Sequence, residues 1–253
     1  MSVIVTISGG KASAWCANWA LKNYKREDVI LYFNDTKWEH PDLYRFLGDL
    51  EKHFDHKITW DSDGRSPEQL FYDNNALANN RMPFCSRILK AKRLQNFYKD
   101  GDVLVFGIGI NEINRAKRLV SVYQSVAAKK KKYPKLVFPL IENKTSQSQI
   151  DRFLYDSDIM EPLLYSLGFQ HNNCSGGCVR AGKKHWILLL NKLPSIYLDR
   201  ERVEEEMRKY TGKDIHFLKD ETLIDLRKRM TGRLFKNPTG DSGECIGICD
   251  SQN

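Results

Sequence analysis

Two rhythms of apolar and polar positions alternate over the first half of the chain. Short β-branched or apolar runs at Val3–Ile7, Val29–Phe33, Lys57–Trp60 and Val103–Ile108 predict strands. Between them apolar residues return at helical spacing over Ala14–Tyr24, Pro41–His53 and Arg87–Tyr98. A shorter helix is expected at Glu68–Leu77, inside the polar stretch Asp61–Pro83. Strands alternating with helices predict a parallel sheet covered on both faces, because each parallel connection needs a crossover long enough to hold a helix. From about Phe138 the alternation stops, and the chain reads as helical and cysteine-bearing. The expected division is an α/β domain over residues 1–137 and a mainly helical region over 138–253.

Composition narrows the class. Hydrophobic residues make up 41% and charged residues 28%, the balance of a folded globular chain rather than a disordered one. Met1 leads straight into a strand-like run without a signal-peptide pattern, and no apolar run approaches the roughly 20 residues of a membrane helix. The expectation is a soluble, cytoplasmic protein with no membrane partner. In that compartment the six cysteines suit metal ligands or redox thiols better than disulfides. Net charge is +8, densest at Lys129–Lys132 with Lys135 just beyond, and basic residues recur at Arg115, Lys117, Arg118, Lys183 and Lys184. The lysine run is expected to be a solvated loop that attracts polyanions in a salt-dependent way, which permits a nucleic-acid substrate.

Candidate chemistry begins where the first strand ends. Ser8-Gly9-Gly10-Lys11-Ala12-Ser13 joins that strand to the first helix. Glycines allow a tight turn and close approach to a ligand, and the helix start offers free N–H groups to a phosphate. The spacing fits neither the Walker loop nor the dinucleotide fingerprint. Ligands on parallel sheets sit at the carboxyl ends of the strands. The turns Asn34-Asp35-Thr36 and Gly107-Ile108-Gly109 are therefore expected to converge on Ser8–Ser13.

The loop resembles the pyrophosphate-binding PP-loop, Ser-Gly-Gly-x-Asp-Ser, with Ala12 in place of the Asp. The resemblance continues in order along the chain. Phe33–Pro41 is similar to an aromatic-x-Asp-Thr-Gly-x-Glu-His-Pro signature of the phosphoadenosine-phosphosulfate (PAPS) reductase family, with Lys37 at the Gly. Pro83–Lys90 resembles its Cys-Thr-Arg-x-Leu-Lys segment. Gly107–Arg115 resembles its Gly-x-x-x-x-Glu-x-x-Arg segment, with Asn111 at a usual Asp. Phe138–Ile141 and Glu161–Tyr165 resemble the Pro-Leu segments that follow, and Cys174–Gly182 the cysteine-rich turn of PP-loop relatives. The resemblance implies a Rossmann-like α/β fold of the adenine nucleotide alpha-hydrolase type. It implies ATP or PAPS as ligand, with Mg2+. Ser8, Gly9, Gly10, Lys11 and Ser13 would cradle phosphate, and Gly107 would line the same site. Asp35 would hold a ribose hydroxyl or the magnesium ion. Arg87 and Lys90 would neutralise phosphate or sulfate, and Glu112 and Arg115 would complete the nucleotide site. Capping of the second helix is the competing role for Glu39, and His40 carries only a weak site role.

Cys16 falls in the apolar run of the first helix and is expected in the core. Cys174–Cys178 and Cys245–Cys249 form two Cys-x-x-x-Cys pairs, a credible thiolate set for zinc or an iron–sulfur cluster. Adenylylsulfate reductases of the same superfamily imply a [4Fe–4S] cluster on Cys85, Cys174 and Cys178, with Cys245 or Cys249 as fourth ligand. The tail Gly243–Ile248 faintly resembles the Glu-Cys-Gly-Leu-His tail of sulfonucleotide reductases, in which the cysteine is the nucleophile; that makes Cys245, with Lys11 and Cys85, a catalytic candidate. Three functions compete. One is a PP-loop ATP pyrophosphatase that adenylates a substrate and transfers sulfur to nucleic acid, using a cysteine desulfurase or thioredoxin-like sulfur donor. Another is a sulfonucleotide reductase producing sulfite. The third is a non-catalytic nucleotide- or metal-binding module of a larger complex. The sequence sets no oligomeric state.

Overall fold

The computed structural model describes residues 1–234 and builds the chain around one parallel sheet. Strands β1 (Val3–Ile7), β2 (Val29–Asp35), β3 (Ile58–Ser62), β4 (Val103–Phe106) and β5 (Lys135–Val137) lie in the order β3-β2-β1-β4-β5. Every neighbouring pair is parallel, with Val3 facing both Val29 and Val103. The expected Rossmann-like α/β class is what forms. β5 is an addition: its three residues are too short to leave a period in the sequence.

The crossovers are α1 (Lys11–Asn23), α2 (Pro41–Phe54), a stretch holding α3 (Pro67–Asp73), α4 (Phe84–Ser86) and α5 (Lys92–Phe97), and α6 (Ile113–Lys130). α1 begins three residues before the sequence pattern implies, so Lys11, Ala12 and Ser13 form its first turn. It sets Ser13, Ala14, Cys16, Ala17 and Ala20 against the sheet, side chains small enough for close packing. Cys16 is fully buried, as expected, and burial raises its thiol to about 12. α2 starts at Pro41, whose fixed φ suits the first helical position. α3 is shorter than expected, and Ser66 and Gln69 close a capping box at its start. Between α4 and α5 the helix widens into a π turn over Arg87–Ala91.

Beyond β5 come α7 (Pro139–Glu142), α8 (Gln147–Asp156), α9 (Leu163–Ser166), α10 (Lys183–Lys192), α11 (Pro194–Thr211) and α12 (Leu223–Leu234). Two large cores result, each drawing on residues from both sides of position 137. One joins the sheet and α1 to Leu140, Ile150 and Leu154. The other joins Trp38, Phe71, Cys85 and Leu89 to Trp186, Tyr197 and Met207. No described helix is long and apolar enough to cross a membrane.

The lysine run corrects an expectation. Lys129 and Lys130 close α6, and Lys131 caps it in a left-handed conformation (φ 51°), where a loop was expected. Cations at a helix C-terminus meet the negative end of its dipole. α6 runs back from the carboxyl edge of the sheet, so the run lies at the opposite edge from Ser8–Ser13. Lys130 Nζ donates to Asn96 there, and Lys132 Nζ to the Tyr98 carbonyl.

Candidate active site

The order β3-β2-β1-β4 places the topological switch between β1 and β4, where ligand crevices open on such sheets. Both connecting turns meet there. Gly9 takes φ +75°, and a Cβ on it would lie 2.5 Å from Leu43, so the turn requires glycine. A Cβ on Gly107 would stand 3.0 Å from the Ser13 amide nitrogen, which shows how closely the β4 turn approaches the start of α1. Ser13 Oγ donates to the Gly10 carbonyl at 2.8 Å and accepts from the Ser8 amide at 3.1 Å. These bonds hold the loop in shape before any ligand arrives.

Lys11 sits differently from its expected place facing phosphate. Its ammonium lies 2.6 Å from Asp151 and 2.9 Å from Glu161, and 4.7 Å from the centroid of the Tyr165 ring. Burial pulls its pKa down, but the two carboxylates more than offset that and hold it protonated. Asp151, Glu161 and Tyr165 therefore flank the loop. The Glu161–Tyr165 segment was the only sequence signal for any of them.

Facing the loop is a chamber of thiols and charges centred on Glu39. This buried carboxylate accepts from Thr36 Oγ1 at 2.9 Å, from Lys90 Nζ at 3.2 Å and from the Cys174 amide at 2.8 Å. Glu39 thus does more than start a helix; His40 is the residue that caps α2, its Nδ1 accepting from the Asp42 amide. Cys174 and Cys178 are neighbours that shift each other in opposite directions: Cys178 is lowered by the adjacent Cys174, helped by the Arg180 amide and the Lys90 charge, and Cys174 is raised by Cys178 and by burial. Burial pushes Cys85 up to about 11, and the neighbouring Cys178 adds to that rise. Burial pulls the Lys90 pKa down, but Glu39, Cys174 and Cys178 outweigh it and raise it above the usual lysine value. The turn Cys174–Gly176 carries three successive positive φ angles, 51°, 55° and 80°, and Ser175 ties it to the Trp38 carbonyl at 2.9 Å.

Asn172 links loop and chamber, its Nδ2 donating to the Gly9 carbonyl at 3.1 Å. Beside it His171 stacks on His185 with ring centroids 4.7 Å apart. Burial, reinforced by His185, Lys90 and Arg115, drops the His171 pKa to about 4, so the ring is neutral at pH 7. His171 and Asn172 left no spacing signal in the sequence; only the fold brings them to the site.

The other expected residues are placed as follows. Asp35 Oδ1 accepts from the Lys37 amide and the Tyr44 hydroxyl, while Oδ2 has no hydrogen bond among the described residues. Glu112 and Arg115 form an exposed ion pair at 2.7 Å. Arg87 is exposed, whereas Lys90 is half-buried against Glu39; both lie within the π turn. Cys245 and Cys249 lie outside the described residues.

A family model described as phosphoadenosine phosphosulfate reductase domain matches residues 2–180, more than half of the chain. The chain belongs to this family. Residues 2–180 take in the loop, Glu39, Cys85, Lys90, Cys174 and Cys178, and membership of the family supports nucleotide binding by the chain. α10, α11 and α12 follow the matched segment. No curated protein matches the chain.

Proposed function

We propose that the protein binds ATP on Ser8–Ser13 and adenylates a nucleic-acid acceptor, which is then given sulfur from the thiol chamber. An acceptor oxygen attacks the α-phosphorus, and pyrophosphate leaves. A sulfur nucleophile at the oxidation level of sulfide then takes the place of that oxygen, which departs on AMP. The observation that carries this reading is the Asn172–Gly9 bond, which ties the cysteine-bearing segment directly to the phosphate loop. Lys90 and the loop amides would steady the phosphates, and the free oxygen of Asp35 is suited to Mg2+. A cysteine desulfurase or thioredoxin-like donor would deliver sulfur as a persulfide, and a dithiol would reduce it to sulfide while closing to a disulfide.

A [4Fe–4S] cluster would be held by Cys85, Cys174 and Cys178, with Cys245 or Cys249 completing it, because these three thiols lie near enough to act on one another's ionisation beside Lys90. When bound, such a cluster supplies iron that holds sulfur. The described residues form no preformed three-ligand group for either zinc or iron, so the cluster is preferred to zinc on the family resemblance. Reduction of PAPS or adenylylsulfate to sulfite is the second reading, favoured by the family match and by Glu244-Cys245.

Pyrophosphate release from ATP, stimulated by an oligonucleotide and a sulfur donor, tests the first reading. Sulfite release from PAPS without ATP would replace it with the second. Lys11→Ala should weaken nucleotide binding about tenfold or more, because Asp151 and Glu161 would be left without their cation beside the phosphate loop and charged hydrogen bonds are worth roughly 1.5–3 kcal/mol. Calorimetry checks this. Anaerobic purification with iron and sulfide analysis should find a cluster that Cys174→Ser and Cys178→Ser abolish.

A further inference from the structure

α6 is the most one-sided surface of the described molecule. Ile113–Lys130 contains no acidic residue, and Arg115, Lys117, Arg118, Lys129 and Lys130 are all on it. Lys117, Arg118, Lys129 and Lys131 are exposed and pair with no carboxylate among the described residues. The middle of the exposed face holds Ser121, Ser125 and Ala128, small residues that admit close approach. Its eighteen residues give a track about 27 Å long, from the carboxyl edge of the sheet to the far edge.

Along the flank of this helix runs a groove of about 340 Å³, lined by Tyr123, Gln124, Ala127, Tyr133 and Leu136 among others. No acidic side chain lines it. Tyr133 is 61% exposed, directly follows Lys131 and Lys132, and is anchored by its amide to Asp100 at 2.7 Å. An exposed ring on a fixed backbone beside unneutralised lysines is the pairing that single-stranded nucleic acids use: cations follow the phosphates, and aromatic faces stack the bases. A duplex keeps its bases stacked and has no use for the groove.

We infer that α6 is a binding track for single-stranded nucleic acid, with phosphates on Lys117, Arg118, Lys129 and Lys131 and one base against Tyr133 in the groove. The inference rests on the nucleic-acid part of the proposed function and extends it. The lysine run sits at the far end of the strand's path, and the helix start leads the strand toward the turn that holds Gly107.

The test is fluorescence anisotropy on the full chain, with labelled 15-nucleotide single strands of DNA and RNA and the matching duplex. Single strands should bind better than duplex. Tyr133→Ala should weaken single-strand binding about tenfold, and Tyr133→Phe should restore it, since stacking needs the ring and not the hydroxyl. Changing Lys117, Arg118, Lys129 and Lys131 together to Ala should reduce the slope of log affinity against log salt by about 0.7 per lost contact. Lys22, Lys52 and Lys57 changed together to Ala should leave it unchanged. ATP affinity of both α6 variants should match the parent, with circular dichroism confirming their fold. The inference is overturned if the Lys22 set weakens binding as much as the α6 set, if Tyr133→Ala binds normally, or if polyglutamate competes as well as the oligonucleotide. If the parent binds no nucleic acid at low salt, both the inference and the acceptor assignment fall. Loss of pyrophosphate release with oligonucleotide binding intact would instead remove only the adenylation chemistry.

Discussion

α6 and α11 are each eighteen residues long, yet they use charge in opposite ways. α11 carries Asp199, Glu201, Glu204, Glu205 and Glu206 among its arginines and closes its charges on itself and its neighbours. Arg202 reaches Glu68, Asp199 and Glu206, Arg208 reaches Glu205 and Asp214, and Glu201 takes Arg227 through both oxygens at 2.7 Å. Arg200, only 4% exposed, lies 3.7 Å from the centroid of the Trp38 ring and packs on Gly177, beside the thiol chamber. On α6 the charges are of one sign; Arg115 pairs with Glu112 just ahead of the helix, and Lys117, Arg118 and Lys129 stay in water unpaired among the described residues. Charge on α11 therefore holds the helical region together, whereas charge on α6 stabilises little in the free protein and remains available to a partner. The chain's net charge of +8 does not say which of its basic residues are paired and which are left to a partner.

Removing a buried charge from α11 should have the largest effect. Glu204 is fully buried and accepts from the Phe217 and Leu223 amides at 2.7 and 2.6 Å. Glu204→Ala leaves both amides buried without partners, at about 1–3 kcal/mol each. The expected fall in Tm is roughly 10 °C, measurable by calorimetry. A fall under about 2 °C would mean that α11 does not depend on its charges as argued.

A pH experiment sharpens the same point with a smaller effect. Burial raises the Glu204 pKa from 4.5 to about 7, against the pull of its two amide bonds. Between those values the folded chain holds a proton that the unfolded chain releases. The stability linked to that retained proton is therefore complete below about 4.5, declines as pH rises toward 7 and is gone above it, while the two amide bonds remain. Glu204→Gln cannot titrate, so the stability of the parent relative to the variant should fall across that window. Denaturant unfolding at several pH values would show a constant difference if Glu204 titrates normally.

The smallest effect should come from α6. Lys117, Arg118 and Lys129 changed to Ala should alter stability by no more than about 0.5 kcal/mol, as for exposed positions without partners. A larger loss would show that these charges serve the fold after all and would erase the contrast with α11.

Periodicity and the motif at Ser8–Ser13 determined much of this protein. Alternating β-branched and helical runs leave a parallel sheet as the consistent solution, and Gly9, Gly10 and Gly107 mark where backbone must turn or approach closely. Those are local requirements, and local requirements leave local patterns. Collinear segments through Arg180 located the family for the same reason. Other facts depend on residues far apart in the chain. The pairing of Lys11 with Asp151 and Glu161, the bond from Asn172 to Gly9 and the convergence of Glu39, Cys85, Lys90, Cys174 and Cys178 span up to about 160 positions. No period or spacing encodes such contacts; they arise when α8, α9 and the cysteine turn pack over the carboxyl edge of the sheet. The lysine run shows the same division. Its charge was plain in the sequence, but only the direction of α6 between β4 and β5 decided that it lies across the sheet from the phosphate loop.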